Sequence, residues 1–98
     1  MNTANPRPGA VADQQIDNDR VIVTRWRFEP GAETGWHRHE YDYVIIPGRD
    51  GQLLLQDEQG ERVADLEAGV AYFREAGVEH NVINHNDFDF FFVEVELR

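Results

Sequence analysis

Three of the four histidines in this 98-residue chain are placed where one metal ion could reach all of them. His37 and His39 are separated by one residue inside a predicted β-strand, so both imidazoles leave the same face. Two rings on one face can share an ion at metal–nitrogen distances of about 2 Å. His80 lies in another predicted strand, after the turn at Gly77, and an antiparallel sandwich can bring the two segments face to face. The three residues therefore predict a tripod for one divalent metal, and neutral imidazole suits iron, zinc, nickel, copper and, less tightly, manganese.

Four side chains close to the histidine pair are candidates for further roles. Strict alternation turns Glu40 and Asp42 away from the histidine face, so only a β-bulge would make Asp42 a fourth ligand. Tyr43 and Tyr41 share the histidine face, and they are the evident groups there for handling a proton. We predict that Tyr43 is the catalytic residue, facing the substrate or supporting a ligand. The alternative is a packed core tyrosine whose hydroxyl bonds to a carbonyl.

Two stretches of the sequence carry a family resemblance. GAETGWHRHEYDYVIIPG, residues 31–48, resembles the first cupin motif, in which a glycine precedes an HxH pair and a second glycine closes the segment. GVAYFREAGVEHNVIN, residues 69–84, resembles the second motif, with Gly69, Gly77, His80 and Asn84 at the family's spacing. The wording TGWHRHEYDYVIIP is further similar to that of small cupins named for β-alanine degradation.

This resemblance implies a jelly-roll barrel of about six to eight strands, with a metal in its mouth and often a dimeric assembly. Cupins usually place a metal-binding glutamate shortly after the second histidine, where this chain has Tyr43 and Val44. The resemblance then implies three histidines plus water, with Tyr43 in the glutamate's place. Such three-histidine sites occur in iron dioxygenases of the family, where the ion keeps positions open for substrate and oxygen.

The elements that must position the histidines are predicted to be strands. β-Branched and aromatic runs, interrupted by glycine-containing turns, favour an antiparallel sandwich or barrel, and no window supports a helix. The predicted strands cover residues 20–28, 36–47, 52–56, 61–66, 70–73, 78–83 and 88–97. Residues 1–19 are polar and lack periodicity, which predicts an extended arm, disordered or laid against the barrel or a partner. The domain itself is predicted to span residues 20–98.

The last predicted strand is apolar on both faces. Phe88, Phe90 and Phe92 share one face, while Phe91 and the valines that follow it share the other. A second covered face in so small a barrel indicates a partner subunit, although the N-terminal arm could also cover it. Glu94 and Glu96 are expected to return one face to water. We expect a homodimer.

Composition excludes several classes of partner. Nineteen acidic residues against nine basic ones give a net charge of −10, which argues against nucleic acid and anionic membranes as partners. The sequence has neither an apolar run long enough for a membrane span nor the features of a signal peptide at its start. Cysteine is absent, so thiolate ligands are excluded, and we expect a cytoplasmic protein.

Three functions fit these observations. The first is a mononuclear metalloenzyme acting on a small organic acid or carbonyl compound, by dioxygenase-like or Lewis-acid chemistry. The second is a non-catalytic module that binds a metal or small ligand. The third is a structural interaction domain in which the ion only stabilises the barrel; such sites are usually closed by a fourth protein ligand, which the sequence does not obviously supply. Iron, manganese, zinc and nickel are the metals we expect.

Overall fold

The computed structural model describes residues 6–98, and every regular element within them is a β-strand. Nine strands are formed: β1 (Val11–Asp17), β2 (Val21–Phe28), β3 (His37–Arg38), β4 (Asp42–Pro47), β5 (Gly51–Asp57), β6 (Gly60–Leu66), β7 (Tyr72–Arg74), β8 (Glu79–Asn84) and β9 (Phe90–Leu97). Among these residues there is no helix long and apolar enough to cross a membrane. The all-β prediction from the sequence is confirmed.

The strands form two antiparallel sheets that enclose the core. One sheet has the order β1-β2-β9-β4-β7, and the other has the order β3-β8-β5-β6. The most deeply buried side chains come from both sheets, as expected for a sandwich closed into a barrel: Phe28, Tyr43, Ile45, Leu53, Leu55, Leu66, Val82, Phe90 and Phe92. Inner faces of both sheets therefore meet around one cavity, and the histidines lie on its wall.

The segment predicted as one strand over residues 36–47 is two strands in different sheets, so that prediction is wrong. β3 pairs with β8, whereas β4 pairs with β7 and β9, and the chain bends between them at residues 39–41. At the bend, the backbone of His39 bonds to the turn before β8, with its N–H on the Val78 carbonyl at 2.8 Å. Side-chain alternation is broken there, which changes the expected direction of Tyr41.

Part of the segment assigned to an N-terminal arm is ordered as strand β1. It runs antiparallel along β2, with a register shift between Gln14 and Ile16, and so widens the larger sheet. The residues just before it are tied to the barrel by backbone bonds between Ala10 and Glu33 (2.8 Å) and between Glu33 and Pro8 (2.9 Å). Packing against the barrel is one of the arrangements predicted above for the arm, and strand β1 adopts it. Residues 1–5 of the arm lie outside the described residues.

The last strand turns its alternating residues inward and outward as predicted, but its acidic residues are placed differently. Phe90 and Phe92 are buried, and Glu94, in phase with them, is buried as well. The expectation that Glu94 and Glu96 return this face to water is therefore wrong, because the inner face continues past Phe92 along the cavity wall. On the outer face, the Phe91 ring lies in the space where a Cβ at Gly48 would be, so a larger residue at this position would displace the ring.

The outer face of the larger sheet carries an apolar row across its whole width. One residue from each strand lies in register with the next, and all five side chains are half-buried or exposed: Ile16, Val23, Val95, Val44 and Phe73. We call this set the outer apolar row. β1 contributes to it at the sheet edge and does not cover it.

Candidate metal centre

The three predicted histidines are brought together. His37 and His80 lie opposite each other in the β3–β8 ladder, and His39 follows one residue beyond that short strand. His39 Nε2 lies 3.0 Å from His37 Nε2 and 3.3 Å from His80 Nε2. Ligands about 2.1 Å from a common ion and about 90–110° apart lie roughly 3.0–3.4 Å from each other. The spacing of these nitrogens therefore fits three ligands of one divalent transition metal.

The His37 ring is held in the tautomer that a metal requires. His37 Nδ1 lies 2.9 Å from the Gly35 carbonyl oxygen and 3.2 Å from Thr34 Oγ1. A carbonyl can only accept, so Nδ1–H is the donor and the Nε2 lone pair remains free to bind an ion. Asn81 fixes this loop from behind, since its Oδ1 accepts the Gly35 N–H at 3.0 Å.

Two contacts orient His39, which is buried. Gly77 adopts a positive φ of 98°, and its N–H donates to the His39 carbonyl at 2.8 Å, which ties the bend to the turn before β8. The Tyr43 ring stacks on the imidazole with a centroid separation of 3.8 Å and an interplanar angle of 14°. The ring therefore has little freedom to rotate away from the other two histidines.

The electrostatics of the site keep His39 and His80 neutral. Burial, followed by the neighbouring His37 and His80, lowers the pKa of His39 to about 3. Burial and His37 likewise lower the pKa of His80 to about 4. Imidazoles bind metals in the neutral form, so both residues are in the ligand state at neutral pH.

Glu94 is the site residue that sequence reasoning missed. Its carboxylate oxygen Oε2 lies 4.0 Å from His39 Nε2, and only 8% of the residue is exposed. Burial, with a smaller contribution from Glu96, raises the pKa of Glu94 to about 7. His39, Glu94 and Glu96 bring their ligand atoms within 4.8 Å of one another. The available signal was its phase with Phe90 and Phe92, which places Glu94 on the core face.

Tyr43 lies beside the histidines, at the wall of the cavity. Its side chain is almost fully buried, and the hydroxyl has no hydrogen-bond partner within the described part of the chain. Burial raises the pKa of this phenol well above its usual range. A buried hydroxyl without a partner is costly, and so it is suited to bonding a ligand that enters the cavity.

The other sequence candidates lie elsewhere. Asp42 is exposed, and its carboxylate accepts the Ala76 N–H at 2.8 Å, so it caps a turn and does not face the histidines. Tyr41 does not line the cavity; its hydroxyl lies 3.4 Å from the Arg98 guanidinium. His85 is exposed in its turn. Asn84 is structural, because its amide donates to the carbonyls of three different residues, Phe28, Glu29 and Phe88.

A cavity of about 440 Å³ adjoins the tripod. Apolar side chains from both sheets form most of its wall, including Trp26, Ile45, Leu53, Leu55, Val82 and Phe92. Charged residues are also present on the wall, among them Arg62, Arg74 and Glu94. An apolar cavity with a few convergent polar groups is typical of small-molecule sites.

A nine-stranded sandwich of this topology with a histidine tripod on its inner wall defines a cupin. The chain belongs to the cupin family, since residues 24–96 match the family's cupin domain. This match spans both motifs and confirms the resemblance seen in the sequence.

Similar proteins agree with this assignment. The chain is 60% identical over 92 residues to the "Beta-alanine degradation protein BauB" of Pseudomonas aeruginosa, covering 94% of this chain and 97% of that protein. A cupin domain from Bordetella pertussis Tohama I superposes with a TM-score of 0.95 at 55% identity, covering 97% of this chain and 99% of that one. A conserved protein with a double-stranded β-helix domain from Klebsiella pneumoniae has a TM-score of 0.76 at 21% identity, covering 96% and 81%, which bears on the fold alone.

Proposed function

We propose that this cupin holds one divalent transition metal on His37, His39 and His80, with the Glu94 carboxylate beside it. The observation that carries the proposal is the convergence of three Nε2 atoms at 3.0 and 3.3 Å on the wall of a cavity. Three imidazoles and a carboxylate oxygen suit iron, manganese, zinc or nickel. Glu94 supplies, from the last strand, the carboxylate that the first motif lacks at Tyr43 and Val44.

We further propose that the centre is catalytic and acts on a small organic acid or carbonyl compound. The bound ion would supply Lewis-acid or oxygen-activating chemistry of the dioxygenase type. Tyr43 is the residue we assign to the reaction: its pKa is raised, so its hydroxyl keeps the proton at neutral pH and donates a hydrogen bond to an oxygen of the bound molecule. The apolar wall excludes water and strengthens that bond.

The name of the Pseudomonas aeruginosa relative supports a substrate in β-alanine degradation. At 60% identity over nearly the whole of both chains, a shared process is a reasonable expectation, and β-alanine itself is a small organic acid. We therefore propose that the substrate of this chain belongs to that process.

A non-catalytic metal- or ligand-binding module is the second candidate, and the same cavity favours it. Such a module would release a bound ligand chemically unchanged, whereas the enzyme would convert it. A purely structural ion is disfavoured, because structural sites are closed by protein ligands, whereas a cavity of about 440 Å³ opens beside this tripod.

We also propose that the chain forms a homodimer through the outer apolar row. Five apolar side chains in register across a sheet are more than a small monomer normally leaves to water. Light scattering after size exclusion should give twice the mass of the chain, and Val95→Asp, in the middle of the row, should give the monomer. Val63→Asp, on an exposed site of the other sheet, is the control and should remain dimeric.

Elemental analysis of tag-free protein by mass spectrometry tests the metal directly. About one equivalent of a single transition metal, lost in His37→Ala and His80→Ala, is the expected result. Protein that takes up no metal even after incubation with each of the four candidates would refute the proposal. The metal found then directs the substrate screen, iron towards oxygen uptake and zinc or nickel towards hydrolysis or isomerisation.

A further inference from the structure

Two arginines face the cavity from the edge strands of the two sheets. Arg62 on β6 lies opposite Leu55, and Arg74 on β7 lies opposite Tyr43. Directly opposed residues of an antiparallel pair project to the same face, and both Leu55 and Tyr43 are buried. The register therefore turns both arginines inward, and both guanidinium groups belong to residues that line the cavity.

Neither arginine has a carboxylate within 4.0 Å among residues 6–98. Arg7, Arg25 and Arg98, on the outer surface, are each paired with an acidic residue. Arg20, Arg27, Arg38 and Arg49 also lack such a partner among the described residues, so what distinguishes Arg62 and Arg74 is that the register turns their unpaired charges towards the cavity. Two of them on one cavity wall indicate that the partner is a molecule that enters the cavity.

The pose of Arg74 suits this role. Its guanidinium lies 4.7 Å from the centroid of the Tyr72 ring, and Nη1 donates to the Phe73 carbonyl at 3.2 Å. Stacking on an aromatic ring fixes the plane of a guanidinium while leaving its edge N–H groups free to bind an anion. Arg62 remains exposed and can follow a ligand as it enters.

The net charge of the cavity favours a monoanion as the ligand. This inference rests on the metal centre proposed above. Three arginines line the cavity, and so do four carboxylates, those of Asp57, Glu79, Glu94 and Glu96. A divalent ion at the tripod leaves the wall with a single net positive charge. A monoanion neutralises that charge, whereas a dianion such as a phosphate monoester leaves the cavity with a net negative charge.

We propose that Arg62 and Arg74 bind the carboxylate of a small organic acid and so set which end of the substrate points to the histidines. A cavity of about 440 Å³ accommodates a molecule of a few carbon atoms between the arginines and the tripod. The apolar side chains between the two ends contact its hydrocarbon part. Specificity for an acid thus comes from β6 and β7, and the chemistry comes from β3, β8 and β9.

Calorimetric titration of the metal-loaded protein with propanoate, propanamide and propyl phosphate tests the proposal. Propanoate should bind about tenfold more tightly than its neutral isostere propanamide, and more tightly than propyl phosphate. Arg62→Gln and Arg74→Gln should each weaken propanoate binding about tenfold while leaving propanamide unaffected. Arg20→Gln removes the same charge from an exposed turn and should change nothing.

Equal affinity for propanoate and propanamide would overturn the proposal. So would unchanged propanoate binding in both arginine variants, which would mean that the metal alone holds the anion. Tighter binding of propyl phosphate would overturn the assignment to carboxylates. Metal content separates this inference from the metal centre: both variants should retain one equivalent, and a wild-type protein without metal refutes the centre while the propanoate comparison still tests the arginines.

Discussion

Glu94 lies on β9 of the larger sheet and His39 directly follows β3 of the smaller sheet, yet Glu94 Oε2 lies 4.0 Å from His39 Nε2. Both residues are buried, so the carboxylate has little water to solvate its charge. A buried carboxylate in this position is costly without a cation and favourable with one. The pair therefore joins the last strand to the histidine tripod and makes the acidic residue part of the site.

Replacing Glu94 with glutamine should move stability and metal affinity in opposite directions. Glu94→Gln removes a buried charge, so the metal-free variant should melt at a higher temperature than metal-free wild type at pH 8. Its metal affinity should fall about tenfold or more, since an anionic ligand is lost. Thermal melts and metal competition with a chelator measure the two effects. A variant that binds metal as tightly as wild type would show that Glu94 is not part of the centre.

His80→Ala should lower stability only when metal is present. Metal bound to the native state adds about 2.7 kcal/mol at a free concentration one hundred times its dissociation constant. For a chain of this size that corresponds to a rise in melting temperature of roughly 10 °C or more. Wild type should show this rise on metal addition and His80→Ala should lose most of it. Equal shifts in the two proteins would contradict the tripod.

Asp42→Asn should leave the metal centre intact. The Asp42 carboxylate caps the turn at Ala76, and asparagine offers an amide oxygen for the same bond. We expect a full metal load and a melting temperature within about 3 °C of wild type. Loss of metal comparable to that in His80→Ala would instead restore Asp42 as a ligand.

Tyr43→Phe separates a ligand-facing tyrosine from a packed core tyrosine. Phenylalanine keeps the stack on His39 but removes a buried hydroxyl that has no partner within residues 6–98. The ligand-free variant should therefore be as stable as wild type or more stable, by up to about 1 kcal/mol. A core tyrosine bonded to a carbonyl would give a loss of similar size. Denaturant unfolding at constant metal load distinguishes the two cases.

Acidification should destabilise the metal-free protein below pH 6.5. The pKa of His39 is lowered to about 3 and that of His80 to about 4 in the folded protein. Between pH 6.5 and these values the unfolded chain therefore binds two protons that the folded protein does not bind, and protonation favours unfolding. The pKa of Glu94 is raised to about 7, so this residue opposes the loss between pH 7 and 4.5. Burial also raises the pKa of Glu96, which acts in the same direction as Glu94. The two histidine shifts together are the larger effect, and the melting temperature should fall. Glu94→Gln should fall more steeply, and a melting temperature that rises on acidification would contradict this account.

The histidine cluster and the fold were predictable because both depend on short-range sequence patterns. The HxH pair, the second histidine motif and the turn glycines are short-range signals, and most predicted strand boundaries lie within a few residues of those observed; the exceptions are β1, which was not predicted, and residues 36–47, which were predicted as one strand. Tyr41 was assigned to the wrong environment because alternation was carried through residues 39–41, where the chain crosses between sheets. That crossing is fixed by hydrogen bonds to Gly77 and Val78, which no local pattern reveals.

Glu94 and the two cavity arginines show a different limit of sequence reasoning. A charged residue at the end of an apolar run is ordinarily taken to mark the return to solvent, and Glu94 has that pattern. Its burial depends on where the cavity lies, which is a property of the closed barrel. The inward direction of Arg62 and Arg74 likewise follows from pairing register with Leu55 and Tyr43, which becomes known only with the sheet topology.

β6 and β7 are the last strands of their sheets, and within the described part of the chain each is paired on one side only, β6 with β5 and β7 with β4. The free edges of β6 and β7 are therefore not held to another strand by ladder hydrogen bonds. Because Arg62 and Arg74 lie on these two edge strands, a small movement of either edge changes the distance between the guanidinium groups without breaking a ladder hydrogen bond. With the roles proposed for Arg62 and Arg74, movement of these edges would let one barrel bind acids of different chain length.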